Sequence, residues 1–477
     1  MVVYQIYPRS FQDSSGDGVG DLRGVTQRLE HLAWLGVDAL WLSPIHPSPM
    51  ADGGYDVADY TTVDPAFGTD ADADALIARA HALGLKVLLD VVPCHTSIAH
   101  AWFRDHPERY VWAPGGAAAT GPPNNWAAAF GGPAWSRDPA GRGVYLHSFY
   151  PEQPDLDWHR EDVRAAFAQI LGGWRTRGVD GFRLDALQRL GKDAALRDDP
   201  PASAPPPLPV PPAVAALDLV HSGDAPGVTE AALEALREGA GADAVLVGEV
   251  YLPAARLPRY LRQLDAAFSF DLLFAPLEAD ALARAIRGGL DAGTMAWTGG
   301  NHDFSRPATR LGPDAARALA LLLLFLPGVA CVYQGDELGL PDGPGHPVST
   351  DPPYDRNGRD PFRHPLPWTA EDAAHGFTTG TPWLPVVAPP EGPADVQRER
   401  AGSALRLHRD AIALRRELAG PVDALTAEDG VLRVRRGAHA LVVNASARPL
   451  ALTGEAVLVS GGDGRTLPAR AAAVLAA

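Results

Sequence analysis

The sequence predicts an α/β protein built on a closed (β/α)8 TIM barrel, with a small domain inserted after the third strand and a C-terminal antiparallel β-domain. Three observations predict it. Short apolar, β-branched runs recur along most of the chain, helical stretches separate them, and near residue 420 the alternation gives way to a strand-like pattern.

The strand-like runs are 2–7, 39–42, 87–92, 181–184, 245–250, 267–273 and 329–333, with a weaker one at 294–298. Continuous apolar runs this short mark parallel strands buried on both faces. Helical periodicity fills 22–35, 71–83, 163–174, 277–286, 315–326 and 405–418. About eight strands over roughly 400 residues suit a barrel with inserted loops better than the alternative, an open doubly wound sheet. Residues 1–94 and 158–420 are therefore read as the barrel. Segment 95–157, rich in Trp, Pro, Gly and Asn, is read as the insertion. Segment 421–477 is read as the β-domain, where Leu432 and Val434 alternate with Arg433 and Arg435. Segment 200–212 holds so many prolines that helix is excluded and an extended polyproline-like loop is expected.

Charge narrows the function. With 41 basic against 58 acidic side chains the net charge is -17. That field repels nucleic acid and anionic membranes, so the expected partner is a neutral or cationic small molecule. The longest apolar run, 318–326, is too short to span a bilayer. Cys94 and Cys331 lie far apart, and the first residues lack the basic-then-apolar pattern of a secretory leader. Both points favour a reducing cytoplasm, with the thiols buried as structural groups.

Barrel enzymes place reactive groups where strands run into the following loops. Arg183 and Asp185, two residues apart at the end of one run, project to the same side of the sheet. A guanidinium beside a buried carboxylate favours its charged form, which suits a nucleophile as well as a structural ion pair. In 245–250 the one ionisable residue is Glu249, and no cation is adjacent to it in sequence. Burial should raise its pKa and let it carry a proton to a leaving group. Two carboxylates in unlike environments are what glycoside hydrolysis uses. Asp90, alone in an apolar strand, needs a partner.

Four strings follow in order: Asp90-Val-Val-Pro-Cys-His95, Gly181-Phe-Arg-Leu-Asp-Ala186, Gly248-Glu-Val-Tyr251 and Gly300-Asn-His-Asp303. In type and order they resemble the four signature regions of the α-amylase family of glycoside hydrolases, over 3–383. The resemblance implies Asp185 as nucleophile, Glu249 as general acid/base and Asp303 as a third carboxylate stabilising the transition state. It implies that Arg183, His95 and His302 complete the sugar-binding shell, with Asp90 bracing Arg183. One departure is Cys94, where the first signature usually has Asn.

Gln153-Pro-Asp-Leu156, Gly54-Tyr-Asp-Val57 and Gly358-Arg-Asp-Pro-Phe-Arg-His364 resemble the oligo-1,6-glucosidase and α-glucosidase branch. There Asp52 and Arg363 would fix a terminal glucose, and Tyr55 would stack on its apolar C–H face. Ala186 stands where the α-1,6-preferring members tend to carry Val, which favours α-1,4 or broad specificity. The implied activity is retaining, exo-acting hydrolysis of small α-glucosides through a covalent glucosyl-Asp185, with no cofactor for catalysis. The alternatives are a transglucosylase or sugar isomerase, of the trehalose- or sucrose-isomer synthase type, using the same intermediate, and a non-catalytic transporter-associated subunit. Three retained carboxylates and the lack of a membrane anchor argue against the last.

Asp13, Ser15, Asp17, Val19 and Asp21 place oxygen donors at alternate positions of a Gly-rich loop, the pattern a hard cation needs. They resemble the same branch's first-loop cation site, with Ser15 replacing the usual Asn or Asp. A structural Ca2+ or Mg2+ is the expectation, away from the chemistry.

Overall fold

The computed structural model, which describes residues 1–347 and 355–476, closes eight parallel strands into a barrel. They are β1 (Val2–Ile6), β2 (Ala39–Leu42), β3 (Lys86–Val91), β4 (Gly181–Leu184), β5 (Val245–Gly248), β6 (Ala266–Phe268), β7 (Met295–Thr298) and β8 (Val329–Tyr333). Each pairs with the next, and β8 returns to β1 in the register Val2 to Ala330. Successive side chains of a strand point to opposite faces, and the core divides accordingly. Val3, Trp41, Leu88, Val247, Phe268, Ala296 and Cys331 form the cluster inside the barrel. Tyr4, Leu40, Leu89 and Leu246 join the larger core beneath the helices.

Helices α1 (Leu22–Leu35), α2 (Asp70–Ala82), α3 (Glu161–Thr176), α4 (Val228–Ala240), α5 (Ala279–Ala292), α6 (Pro313–Phe325) and α7 (Ala404–Arg415) surround the strands. Their starts obey capping chemistry. Asp21 accepts from the Gly24 amide at the head of α1, and Thr69 and Asp72 form a reciprocal capping box on α2. The connection from β5 to β6 departs from the regular unit, being a 3-10 segment, Ala254–Arg262, with Pro258 inside it.

The single strand expected over 267–273 divides. β6 stops at Phe268, and Phe270–Leu273 forms one helical turn. A continuous apolar run has no period, so it cannot separate a buried strand from a buried turn of helix. The proline segment holds no helix before Pro212, but it bends at 203–204 and 207–208 where an extended loop was expected, and Pro212 opens the one-turn helix Pro212–Ala215.

Between β3 and α3 the chain carries an antiparallel hairpin, Trp135–Arg137 with Val144–Leu146, and a cluster of its own including Trp126, Trp135 and Leu146. A bridge between His95 and Asp155 joins the two ends of this excursion. Beyond α7, five antiparallel strands run in the order Ala424–Glu428, Val431–Arg436, His439–Asn444, Ala471–Ala476 and Ala456–Val459. Leu432 and Val434 are buried while Arg433 and Arg435 are exposed, the alternation of a sheet with one wet face. Among the described residues no helix is long and apolar enough to cross a membrane.

Candidate active site

Arg183 organises the carboxyl ends of the strands. In the β3–β4 register it lies directly opposite Asp90, so both side chains enter the barrel mouth together. Its Nη1 donates to Asp90 Oδ1 at 2.8 Å and to Asp185 Oδ1 at 2.6 Å, while Nη2 donates to Glu249 Oε2. The guanidinium lies 5.1 Å from the centre of the Trp41 ring and 5.6 Å from that of Tyr55. Trp41 Nε1 and Tyr55 Oη also donate to Asp90 Oδ2, at 3.0 and 2.9 Å, so no oxygen of this deeply buried carboxylate lacks a donor.

Asp185 follows β4 and Glu249 follows β5. Adjacent strands bring them close enough to share a hydrogen bond. Burial pushes Asp185 up to about 6, against the opposing charge of Arg183. Burial pushes Glu249 further, to about 8, because Asp185 and Asp303 add their negative charge while Arg183 resists. The pair therefore loses its protons in a fixed order, Asp185 first. One expectation is corrected. Glu249 does have an adjacent cation, Arg183, and its raised pKa reflects desolvation outweighing that cation. Directly after Asp185, Ala186 takes a left-handed conformation, φ 46°, which is backbone strain at a functional position.

A second knot faces this one. Asp303, beyond β7, accepts from Arg359 Nη1 at 2.9 Å and Arg363 Nη2 at 3.1 Å, and its Oδ2 is 3.3 Å from His302 Nε2. Burial alone would raise Asp303, but His302, Arg359 and Arg363 hold it well below the usual carboxylate range. Gln5 on β1 lies 2.8 Å from His302 Nδ1, and burial pushes that imidazole down to about 3. An amide donor on Nδ1 leaves the ring proton on Nε2, which is near Asp303 Oδ2 at 3.3 Å without a hydrogen bond between them. The Tyr55 ring stacks on His302 with centroids 5.0 Å apart.

Asp52 accepts from Gln153 Nε2 at 2.9 Å and from Arg359 Nη2. Its guanidinium partner is thus Arg359 and not Arg363, which instead holds the His302 carbonyl at 2.8 Å together with Asp303. Gly53, at φ 60°, admits that packing, since an added Cβ would meet Arg363 Nη1 at 2.9 Å. His95 places Nε2 3.1 Å from the Tyr55 carbonyl and 2.9 Å from Gln153 Nε2, and its buried Nδ1 has no hydrogen-bond partner among the described residues. Asp52, Tyr55, His95, Asp185, Glu249, Asp303 and Arg359 all line one cleft of about 630 Å³.

Sequence reasoning singled out neither Arg359 nor Gln5. Arg359 lies inside the quoted string 358–364, which was the available signal. Gln5 carries no local mark, because its partner is nearly 300 residues away in sequence, at His302.

The expected cation loop lies apart from this cleft. Asp13 accepts at 2.7 Å from Ser15 N, 2.8 Å from Gly16 N, 2.8 Å from Gly18 N and 2.5 Å from Thr378 Oγ1. Asp21 caps α1 and accepts from Ser14, and Asp17 Oδ1 accepts from Val19 N. The three carboxylates do not form a cluster; among the described residues the one such grouping is Cys94, His95 and Asp155. Within the loop these oxygens are held in place by its own amides and by Thr378. The grouped Asp155 is likewise committed, to Lys192 at 2.7 Å and to Ser148.

A barrel whose strand ends gather an ionisable pair that differs in proton affinity, beside a third carboxylate held charged, defines a paired-carboxylate enzyme of the glycosidase type. Comparison narrows this. Residues 5–420 match the model of the α-amylase catalytic domain. The chain is 38% identical, over 81% of its length and 76% of the relative's, to a probable α-glucosidase of Rhizobium meliloti (strain 1021). It is 35% identical, over 81% of its length and 77% of the relative's, to an oligo-1,6-glucosidase of Halalkalibacterium halodurans. The crystal structure of the α-glucosyl transfer enzyme XgtA superposes with a TM-score of 0.88 at 37% identity, covering 99% of this chain and 98% of that one. This chain belongs to the α-amylase family of glycoside hydrolases.

Proposed function

We propose that the protein is a retaining, exo-acting α-glucosidase that releases terminal glucose from small α-glucosides. The observation that carries this reading is the pair Asp185 and Glu249, joined through Arg183 and separated in proton affinity. Protonated Glu249 gives its proton to the glycosidic oxygen while the Asp185 carboxylate attacks C1 and the C1–oxygen bond breaks. Water then attacks C1 of the glucosyl-Asp185 ester, Glu249 takes its proton, and the electron pair returns to Asp185, so configuration is retained. Asp303, kept ionised by its three cationic or polar neighbours, stabilises the positive charge that develops at the anomeric centre.

Arg359, tying Asp52 to Asp303, supports exo action. A charged knot of this kind holds the hydroxyls of a chain-terminal glucose, together with His95, His302 and Arg363, while Tyr55 supplies an apolar ring. In this reading 1–94 and 158–420 form the catalytic barrel, 95–157 contributes His95, Phe130 and Phe149 to the cleft, and 421–477 takes no part in the chemistry. The two free, buried thiols fit a reducing compartment such as the cytoplasm. A transglucosylase is the second reading, favoured by the likeness to XgtA. Products from concentrated maltose separate the two, because a strict hydrolase yields glucose alone.

Two results are expected. The pH profile of kcat/KM is a bell, rising through about 6 as Asp185 loses its proton and falling through about 8 as Glu249 loses its own. Activity still climbing through the alkaline limb would remove Glu249 from the acid role. Arg359→Gln raises KM for an aryl α-glucoside by about 10- to 100-fold, the loss of charge-assisted hydrogen bonds, and lowers kcat less. An unchanged KM would take Arg359 out of the glucose site.

A further inference from the structure

Two buried arginines at the foot of the barrel have no carboxylate to neutralise them. Arg415 ends α7 and Arg436 ends the C-terminal strand Val431–Arg436, and they are 8% and 9% exposed. Arg183, Arg306 and Arg363 are also buried, and each has a carboxylate oxygen within 3.2 Å. Arg415 and Arg436 form no ion pair among the described residues and bond to backbone carbonyls alone. Arg415 Nη1 donates to the Leu324 and Leu326 carbonyls, and Nη2 to that of Gly328 at 2.7 Å. Arg436 donates through Nε to Gly420 at 2.9 Å, through Nη1 to Phe325 at 2.9 Å and through Nη2 to Leu418 at 3.1 Å. A guanidinium carries five N–H groups, so each keeps two that no described residue accepts.

Leu324, Phe325 and Leu326 close α6, where a helix offers free carbonyls and roughly half a unit of negative charge. That explains the hydrogen bonds but leaves most of two full positive charges uncompensated. Burial, and then the charge of Arg436, push Arg415 down to about 10. Both residues line one cavity of about 200 Å³, together with Arg416, Gly328 and Asp38. A single water needs roughly 10 to 15 Å³, so the cavity admits a group of several heavy atoms. Arg416 adds a third cation, and Asp38, 3.6 Å from it, is the one carboxylate on the wall. This local balance is the reverse of the chain's net charge of -17. Asp38 precedes β2 and Gly328 precedes β8, so the cavity lies at the amino ends of the strands, the opposite end from Asp185 and Glu249.

We propose that this cavity binds a small oxyanion, inorganic phosphate or the phosphate group of a phosphomonoester, as a counter-ion between the barrel and the C-terminal domain. Its oxygens accept from the unused N–H groups of both guanidiniums, a match that a spherical halide does not offer. Gly328 belongs to the barrel, Arg415 to α7 and Arg436 to the β-domain, so a bound oxyanion ties three elements together and stabilises the fold as its concentration rises. The site is independent of the α-glucosidase reading, since a chain inactive on glucosides would bind the anion equally well.

The test is calorimetric titration of the whole chain with inorganic phosphate, glycerol 3-phosphate and chloride at constant ionic strength. One site with a dissociation constant of about 1 mM is expected for phosphate or its monoester, and the tighter of the two identifies the source. Twenty times that concentration should raise Tm by about 2 °C, while chloride does neither. Asp38→Asn removes the opposing charge and should tighten binding about tenfold, and Arg416→Gln should weaken it by about as much. Both positions are well exposed, so these variants keep the fold. Arg436→Gln should abolish binding, with a lower Tm because it also gives up its carbonyl bonds. Hydrolysis of an aryl α-glucoside should be unchanged by phosphate. No saturable binding of either oxyanion, chloride binding equally well, or an affinity unmoved in both Asp38→Asn and Arg416→Gln overturns the proposal. Inhibition by phosphate competitive with the glucoside would place the anion in the cleft and overturn it as well.

Discussion

Asp185→Asn is expected to lower kcat/KM on an aryl α-glucoside by about four orders of magnitude or more, the scale on which removal of a catalytic nucleophile acts. The substitution is nearly isosteric. The amide oxygen can still accept from Arg183 Nη1, the 2.6 Å contact of the native carboxylate, so the side chain keeps its place and loses only its charge. The stability change should run the other way. Burial raises Asp185 in the folded chain above its unfolded value, so its ionisation disfavours the fold at neutral pH, and that penalty begins to lift as pH falls below about 6 and is gone only below the ordinary carboxylate value. A neutral amide carries no such penalty. The variant should therefore melt at the wild-type temperature or above it at neutral pH, and the gap should close in acid. Activity within tenfold of wild type would dismiss Asp185 as nucleophile, and a lower melting temperature would trace the lost rate to misfolding.

The barrel was legible because parallel strands buried on both faces leave short apolar runs at regular intervals, and β1 to β5 lie close to the runs that predict them. Polar residues at their ends were legible for the same reason: Asp90, Arg183 and Glu249 interrupt otherwise apolar strands. Relations across strands were harder to see. Glu249 has no cation near it in sequence, yet closing the barrel makes β4 and β5 neighbours, pairs Leu184 with Gly248, and so carries Glu249 to the free side of the Arg183 fork. Arg359 and Arg363 differ by one turn of a 3-10 segment, Asp360–Phe362, and only its geometry decides which of them reaches Asp52. In the loop from Asp13 to Asp21 the oxygen-bearing positions were legible, whereas the backbone amides that hold the Asp13 carboxylate were not, because composition does not report backbone partners.

Arg183→Met should have the largest effect on stability. The guanidinium is 1% exposed and its fork holds three carboxyl groups, on Asp90, Asp185 and Glu249. Removing one partner of a buried ion pair costs about 3 to 5 kcal/mol, because the remaining charge stays buried without compensation. Here the remaining groups respond by taking protons. Arg183 is the main charge that lowers Asp90 and Asp185 against burial, so without it their folded pKa values rise further. A group whose folded pKa is raised leaves stability intact below its unfolded value and withdraws it as pH rises through the folded one. The variant should therefore be near wild type in acid and weakest at alkaline pH, a dependence that a simple packing defect would not produce. The acid limb of its residual activity should move up from about 6, because Asp185 ionises later. Arg183→Lys completes the argument. Its single ammonium keeps the charge but cannot span Asp90, Asp185 and Glu249 as a planar fork does, so it should recover much of the melting temperature and little of the activity. Melting curves and pH profiles of the three proteins decide the matter. A methionine variant with wild-type stability at neutral pH and an unmoved acid limb would leave Arg183 as a bystander to the pair it joins.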